Sequence, residues 1–338
     1  MLDVGLIGLG ADWEKRFRPV LTRLRPRLRI KAIYSPVSHR AEPVAAEFQA
    51  VHSPGLCALL ERPDLRAILL LDSGWTGHLP AELACARGKP VFFAGASGIG
   101  SQAISLLAAQ SAESGTTVMP ELRLRYLPAT LRLRELLATQ LGRPHHIRLH
   151  LAAPTEGCQS DQLRARLVEL LDWCRALVGT APVDARRTGA TSGRNGTLPH
   201  ASSNNGALHP GPTAHASTFE VLFAQPARGG AATRAEILID ASTTVAALQP
   251  LAVRMRVECE RGWAEIDRAH AITWSTADAQ GSNSPATVEA LDEERDDLEL
   301  MLDHFSRRVV GGLVPVPTFE DIRDAWELLD RLARDDAP

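Results

Sequence analysis

A glycine-rich turn directly after an apolar run is the feature that most constrains the fold of this chain. The run Val4–Ile7 has the character of a buried strand, and Gly8 and Gly10 follow it in a G-x-G spacing. Such glycines let the backbone approach a phosphate group, and the N-terminus of the following helix attracts negative charge. In the dinucleotide-binding pattern G-x-G-x-x-G, the third glycine would fall where Trp13 stands. We therefore predict a nucleotide-binding framework in which a bulky indole hinders close packing of the helix on the strand.

Short apolar strands alternate with helices through the first 119 residues. The predicted strands are Val4–Ile7, Ile30–Tyr34, Ala67–Leu71, Val91–Phe93 and Thr116–Met119, and the predicted helices are Glu14–Leu24, His39–Phe48, Leu56–Leu60, Pro80–Arg87 and Gln102–Glu113. Strands that are apolar along their whole length are typical of a parallel sheet buried on both faces. The alternation indicates a doubly wound α/β domain over residues 1–119.

The pattern changes after residue 119. The predicted helices are Ala129–Leu141, Asp161–Val178, Asp292–Val309 and Phe319–Leu332, and the predicted strands are His146–Leu151, Ser217–Ala224, Ala232–Ser242, Arg254–Glu260 and Gly262–Ile266. This order predicts a second, α+β domain over residues 120–338 with a mostly antiparallel sheet. Residues 184–216 are rich in Gly, Ser, Asn, Thr and Pro, which predicts a flexible insertion.

The overall composition excludes several classes of partner. A net charge of −3 offers no electrostatic argument for binding nucleic acid, and no uninterrupted apolar run is long enough to span a bilayer. The five cysteines are scattered and never spaced C-x-x-C, which argues against a zinc site and suits a reducing compartment. The histidines of the 184–216 segment, His200, His209 and His215, have no acidic partners in sequence, so we predict no metal site. We expect a cytoplasmic protein without a signal peptide and without a membrane or nucleic-acid partner.

Several further motifs, taken in order, resemble the glucose-fructose oxidoreductase / inositol dehydrogenase / MocA family over nearly the whole chain. These motifs are Val4–Gly10, Arg62-Pro63-Asp64, His78, Gly88-Lys89-Pro90-Val91, Ala108–Gly115, Arg125–Ala129, Leu141–Pro144, Asp172–Gly179, Arg261–Asp267 and Phe305–Thr318. No single motif is specific, and the resemblance depends on their order and spacing together.

The resemblance implies an N-terminal Rossmann domain and a C-terminal domain with an open-faced sheet. Members typically oxidise or reduce sugars, polyols or related compounds with NAD or NADP, and they often pair their sheets in dimers or tetramers. On this basis we expect an NAD(P)-dependent oxidoreductase with a small-molecule substrate. We also expect a homodimer or homotetramer that forms through the C-terminal sheet.

The catalytic positions implied by the resemblance are altered in this chain. The family's catalytic lysine lies in a Glu-Lys-Pro motif, and that place here reads Ala94-Gly95-Ala96, so Gly95 replaces the lysine. The family's histidine, with an aspartate three residues later, falls on Glu169 and Asp172, so the aspartate is kept and the histidine is not. These departures argue against the family's usual chemistry.

Arg125 and Tyr126 match an Arg-Phe pair that lies at the domain junction in the family. The resemblance implies that both could reach a substrate, with packing of the interface as the alternative for Tyr126. The candidate catalytic residues are therefore Asp172, Glu169 and Arg125.

Helical spacing offers an independent view of the two carboxylates. An apolar stripe runs along the predicted helix 161–178, and Glu169 and Asp172 fall on its opposite face. We expect both to point toward the interdomain cleft or toward solvent. A carboxylate can act as a general base, and two close carboxylates would raise the pKa of one of them. A solvated polar face, with Arg166 and Arg175 nearby, is an equal alternative.

The candidate cofactor-binding residues are Gly8, Gly10, Ser35, Arg40 and Ser73. An acidic residue at the end of the second strand usually accepts hydrogen bonds from the ribose of NAD. Ser35 stands at that place with Arg40 nearby, which slightly favours the 2′-phosphate of NADP. The alternative is a simple Ser-Pro turn with Arg40 opening a helix.

Charged and bulky residues surround the expected cofactor position. Ser73 follows the third predicted strand, where the family places a small Thr-Pro pair beside the nicotinamide ribose, but Asp72 and Trp75 depart from that pattern. Asp12 adds negative charge to the phosphate turn unless it serves as a helix N-cap.

Two functions stay open at this point. The retained order of motifs favours a sugar or polyol oxidoreductase with atypical catalytic residues. The departures favour an inactive family member that binds a nucleotide or another ligand in a regulatory role. A lyase or hydrolase that uses a retained nucleotide is a third possibility.

Overall fold

Two sheets organise the chain. The computed structural model describes residues 1–153, 160–190, 216–224, 232–241, 253–277, 284–292 and 296–335. A six-stranded sheet lies in the first part of the chain and an eight-stranded sheet in the second. The predicted fold class, a doubly wound parallel sheet followed by an α+β domain, is confirmed.

The first sheet is parallel throughout. Its strands are β1 (Leu2–Ile7), β2 (Leu28–Tyr34), β3 (Val51–His52), β4 (Ala67–Leu70), β5 (Val91–Phe93) and β6 (Val118–Pro120), in the spatial order β3-β2-β1-β4-β5-β6. Every residue of β4 and β5 is buried, as expected for strands covered on both faces. The order reverses between β1 and β4, and a crevice at such a switch point is the usual ligand site of this architecture.

Helices cover both faces of the parallel sheet. They are α1 (Arg18–Arg23), α2 (Ser38–Phe48), α3 (Leu56–Leu60), α4 (Leu79–Ala86) and α5 (Ser101–Ser114). Two helices from the end of the chain also pack here: Phe305 of α8 (Asp297–Val309) lies 6.1 Å from the ring of Phe92, and Phe319 of α9 (Phe319–Asp335) lies 5.9 Å from Phe93. The C-terminal part of the chain therefore contributes to the core of the first sheet.

Trp13 is part of that core. Residues Trp13–Phe17 form a π-helical turn before α1, in which the Phe17 and Arg18 N–H groups donate to carbonyls five residues earlier. The indole is 4% exposed and makes an edge-to-face contact with Phe48 at 6.1 Å. The expectation that the indole hinders helix packing is wrong, because the wider turn accommodates it between the first helical segment and α2.

The second sheet is mostly antiparallel. Its strands are β7 (Pro144–Ala153), β8 (Pro182–Ala190), β9 (Ala216–Phe223), β10 (Arg234–Ala241), β11 (Val253–Cys259), β12 (Gly262–Arg268), β13 (Ala271–Thr276) and β14 (Thr287–Ala290). Their spatial order is β14-β13-β12-β11-β7-β10-β9-β8, and among these described strands only β7 and β10 pair in parallel. Helices α6 (Pro128–Leu136) and α7 (Ser160–Val178) pack against this sheet.

The structure differs from the sequence-based expectation at several places. The predicted insertion 184–216 begins inside β8, because residues 184–190 pair with β9; residues 191–215, with the three histidines, lie outside the described residues. Helix α8 begins at Asp297 rather than Asp292, since the Asp296 carboxylate caps it by accepting from the Leu298 N–H at 2.9 Å. Strands β3, β8, β13 and β14 were not predicted. Within the described part of the chain, no helix has the length and apolar character needed to cross a membrane.

Candidate functional site

The glycine turn after β1 lies against the end of β4. Gly8 has φ +87°, and a methyl group on it would come 2.2 Å from the Asp72 carbonyl oxygen. A methyl group on Gly10 would come 2.7 Å from Asp72 Oδ2, so the carboxylate itself lies beside the turn. The Gly74 N–H donates to the other carboxylate oxygen at 2.9 Å and orients the side chain. The close approach of the Asp72 backbone therefore requires glycine at position 8, whereas a side chain at position 10 would displace the Asp72 side chain.

A cleft of about 330 Å³ opens beside this turn. It is lined by both parts of the chain, and most of its lining is charged. The carboxylates are Asp12, Asp72, Glu121 and Glu169, and the guanidinium groups are Arg16, Arg123 and Arg166. Its volume is within the range of small-molecule sites, and its polar walls suit a hydroxylated ligand.

The arginines of the cleft are all held by carboxylates. Arg16, in the π-helical turn, pairs with Glu121, which follows β6, so the pair joins two sides of the crevice. Arg123 pairs with Asp297 at 2.6 Å, outside the lining. Neither Arg16 nor Glu121 was singled out from the sequence, because 105 residues separate them.

The acidic residues nearest the turn are not neutralised. Among the described residues, neither Asp12 nor Asp72 has a basic group within 4.0 Å. Asp12 stands at the N-cap position of the helical turn, but its side chain makes no capping hydrogen bond; its backbone carbonyl accepts from the Arg16 and Phe17 N–H groups instead. Two carboxylates thus face the position at which a phosphate would approach.

Gly95 leaves open space where the resemblance places a lysine. It has φ +69°, a left-handed conformation that glycine adopts without strain, and it precedes the short helical turn Ala96–Gly98. A methyl group on Gly95 would meet no atom within 4 Å. The backbone conformation favours glycine here, and the space beside it is open.

Glu169 lies on the wall of the cleft beside that space. Its Oε1 accepts a hydrogen bond from Ser97 Oγ at 3.0 Å, and its Oε2 pairs with Arg166 at 2.6 Å. Ser97 belongs to the turn that follows Gly95, so contact between α7 and this turn positions the carboxylate. Ser97 could be found only from the structure.

Asp172 does not face the cleft or solvent, and that expectation is wrong. Its side chain is 2% exposed, and Arg125 holds it in a two-pronged contact, with Nε donating to Oδ2 at 2.8 Å and Nη2 donating to Oδ1. The face of α7 opposite the apolar stripe is covered by α9 and by the turn Arg123–Tyr126. Burial raises the pKa of the Asp172 carboxyl, and the Arg125 charge acts against that rise.

Tyr126 packs the junction between the two parts of the chain. It is 6% exposed, and its ring packs in a T-shaped arrangement with the His304 ring, with the two ring centroids 5.5 Å apart. Burial raises the pKa of its hydroxyl to about 12. The packing alternative for Tyr126 is the one that the structure favours.

The three side chains expected to contact the cofactor lie in different surroundings. Ser35 is buried and its Oγ accepts from the Val37 N–H at 3.3 Å, which matches a Ser-Pro turn. Arg40 is exposed on α2, and Ser73 lines the cleft. The side chain of Trp75 lies outside what the structure describes.

Known structures share this architecture. UDP-N-acetylglucosamine 3-dehydrogenase from Acidithiobacillus ferrooxidans is 18% identical, with 98% of this chain and 96% of that chain covered at a TM-score of 0.68. A dehydrogenase from Clostridium difficile is 13% identical, with 99% of each chain covered at a TM-score of 0.70. A 3-ketoreductase from Actinomadura kijaniata, solved with TDP-benzene and NADP, is 17% identical, with 98% and 97% covered at a TM-score of 0.67.

The chain has the two-domain fold of the glucose-fructose oxidoreductase / inositol dehydrogenase / MocA oxidoreductases. The resemblance predicted from the motifs is confirmed for the fold, across nearly the full length of the chain. No family model matches the sequence, and no curated protein matches it, in keeping with a divergent sequence.

Proposed function

We propose that this protein is an oxidoreductase that uses a nicotinamide nucleotide and acts on a sugar, a polyol or a related small molecule. The fold supports this proposal, since it is shared with a sugar-nucleotide dehydrogenase and with a 3-ketoreductase that holds NADP. The observation that carries it is the Glu169 carboxylate, held on the cleft wall beside the open space at Gly95.

In this proposal, the backbone of the crevice holds a dinucleotide. Gly8 and Gly10 present bare backbone at the switch point, where the pyrophosphate would be held, and Ser73 lies on the cleft side. Arg40 is the basic group near the end of β2 that would favour a 2′-phosphate, so NADP is the preferred form in this proposal. When bound, the nicotinamide would accept or donate a hydride. The charge of Asp72 weakens phosphate binding, because like charges repel across a short distance.

Glu169 is the group that would take the proton from a substrate hydroxyl. Oxidation of an alcohol releases a hydride from carbon and a proton from oxygen, and a carboxylate within hydrogen-bond reach can accept that proton. Ser97 and Arg166 fix its orientation, at 3.0 Å and 2.6 Å. Asp172 and Arg125 neutralise each other outside the cleft lining, so in this proposal they position α7 and do not exchange protons with the substrate.

Binding without turnover is the second candidate function. It is favoured by the Asp72 carboxylate beside Gly10 and by the absence of a side chain at Gly95. A protein of this kind would hold a nucleotide or another small ligand in a regulatory role.

One set of measurements separates the two candidates. Purified protein is titrated with NADPH and NADH while nicotinamide fluorescence is followed, and turnover is then measured across a panel of sugars and polyols. We expect saturable binding, tighter for NADPH. We also expect Glu169→Gln to lower kcat at least 100-fold while nucleotide affinity stays within twofold, since a general base contributes about 10²–10⁴ in rate.

The exposed Glu113→Gln on α5 is the matched control, and it should change neither quantity. No binding of either nucleotide would refute the oxidoreductase proposal. Binding without turnover would support the second candidate, and unchanged turnover in Glu169→Gln would show that another group takes the proton.

Assembly through the eight-stranded sheet stays a prediction, as does a cytoplasmic location. Light scattering of the purified chain would test the first, with a mass of two or four chains expected.

A further inference from the structure

A second cavity, of about 610 Å³, lies in the C-terminal part of the chain and shares no lining residue with the interdomain cleft. It forms where the end of the helical turn Leu137–Leu141, the end of α7 and the hairpin between β11 and β12 meet. Part of its wall is apolar. The apolar residues are Leu137, Ala138, Pro144, Ala176, Leu177 and Val178.

Three arginines surround this apolar wall. Arg134, Arg143 and Arg261 line the cavity, and within the described ranges none of them has a carboxylate within 4.0 Å. Elsewhere arginines are commonly paired, as Arg16 and Arg123 are in the interdomain cleft. The cavity therefore concentrates positive charge that the described protein does not neutralise.

The one acidic residue in the lining serves the backbone. Glu260 Oε2 accepts a hydrogen bond from the Arg143 N–H at 3.2 Å. A methyl group on Gly142, which has φ +75°, would come 2.8 Å from the same oxygen and 3.3 Å from Arg261 Nε. The carboxylate thus ties the loop that carries Arg143 to the hairpin that carries Arg261.

Backbone hydrogen bonds hold the same two segments together. The Arg261 N–H donates to the Leu141 carbonyl at 2.9 Å, and the Glu260 N–H donates to the Arg143 carbonyl at 3.0 Å. Two of the three arginines therefore start from backbone positions that are fixed relative to one another. A site whose backbone is set before binding loses less conformational freedom when a ligand enters.

We propose that this cavity binds a small organic anion. A phosphate, sulfate or carboxylate group of the ligand contacts Arg134, Arg143 and Arg261, and an apolar portion about the size of one or two rings lies on the wall formed by Ala138 and Leu177. Guanidinium groups bind such oxyanions through paired hydrogen bonds, and the cavity volume suits a ligand of this size. The carbonyl end of α7 lies at the same cavity and carries partial negative charge, so the anion depends on the arginines for its attraction.

The test uses the full chain and the fluorescent anion 1-anilinonaphthalene-8-sulfonate, which has a sulfonate and apolar rings. We expect one saturable site whose affinity falls at least tenfold in the double variant Arg143→Met/Arg261→Met. The control is Arg66→Met/Arg254→Met, which removes two exposed arginines that lie outside the cavity and have no carboxylate within 4.0 Å in the described part of the chain. It should bind within twofold of the wild type.

Two further measurements test the contributions of the apolar wall and of the charge separately. Ala138→Trp, at an exposed position, should block the dye without changing the charge, and inorganic phosphate should compete with the dye in the wild type. NADPH should not displace the dye, since the interdomain cleft is a different site. If the protein binds no nucleotide, the proposed oxidoreductase function fails, but the anion site is still tested by the dye. Equal dye binding by the wild type and Arg143→Met/Arg261→Met, no saturable binding, or displacement by NADPH would each overturn it.

Discussion

The buried contact between Arg125 and Asp172 makes a quantitative prediction about stability. The contact joins α7 to the turn Arg123–Tyr126, and the two side chains are 18% and 2% exposed. Asp172→Asn keeps the shape of the side chain but removes its charge, and its amide NH₂ group would face a guanidinium that also donates. We expect this substitution to lower the free energy of unfolding by about 3 kcal/mol.

The size of this stability loss depends on which carboxylates Arg125 still contacts after the substitution. Removing one partner of a buried ion pair costs about 3–5 kcal/mol, because the remaining charge is left without its counter-ion in a poorly hydrated place. Arg125 keeps Asp321 at 3.3 Å, but that carboxylate also pairs with Arg175 at 2.8 Å. Asp321 therefore compensates only in part for the lost Asp172 charge, and the lower end of the range of stability losses applies.

Urea unfolding at pH 7, followed by circular dichroism, measures this loss. Asp297→Asn is the matched control, because Asp297 pairs at 2.6 Å with Arg123, whose side chain is 42% exposed. An exposed pair contributes about 1 kcal/mol or less. The double variant Arg125→Met/Asp172→Leu should lose less stability than Asp172→Asn, since it leaves no charge unpaired. If Asp172→Asn loses no more stability than Asp297→Asn, the reasoning about the buried pair is refuted.

Two further predictions concern stability. Gly8→Ala should lower the free energy of unfolding by about 3 kcal/mol, since its methyl group would lie 2.2 Å from the Asp72 backbone. Gly95→Ala, in open space at φ +69°, should lower it by only about 1 kcal/mol through backbone strain. Similar urea midpoints for the two variants would contradict this prediction. Hydrogen bonds from Arg132 hold the pKa of the Glu289 carboxyl below its ordinary 4.5, so their contribution is present above that pH and is lost as the pH falls below it. Glu289→Gln should therefore be less stable than the wild type by about 1 kcal/mol at pH 7, with the gap closing near pH 3, and a gap that widens toward acid would refute this assignment.

Much of the fold follows from local patterns. The buried strands β4 and β5 were predicted because a fully apolar run of that length suits a covered parallel strand. Helix α5 was predicted because Gly115 follows it as a cap, and in the structure that glycine is left-handed. Strands β13 and β14 were missed because their mixed composition shows no clear alternation. Their pairing, with Trp274 donating to Glu289 at 2.7 Å, depends on neighbours that lie apart in sequence.

The candidate site was predicted less completely than the fold. Helical spacing put Glu169 and Asp172 on one face of α7, yet Glu169 lines the cleft and Asp172 is buried against Arg125. Spacing along one helix shows which side chains share a face, but it cannot show which other elements cover that face.

The sequence by itself determined the strand–turn–helix framework at Gly8 and Gly10 and the two-domain order, because periodicity and glycine positions act over a few residues. Only the tertiary structure decided what surrounds the turn. Asp72 reaches it from the end of β4, and the π-helical turn gives Trp13 a place in the core. These arrangements depend on contacts between distant segments, which the order of residues does not reveal until the sheet brings the segments together.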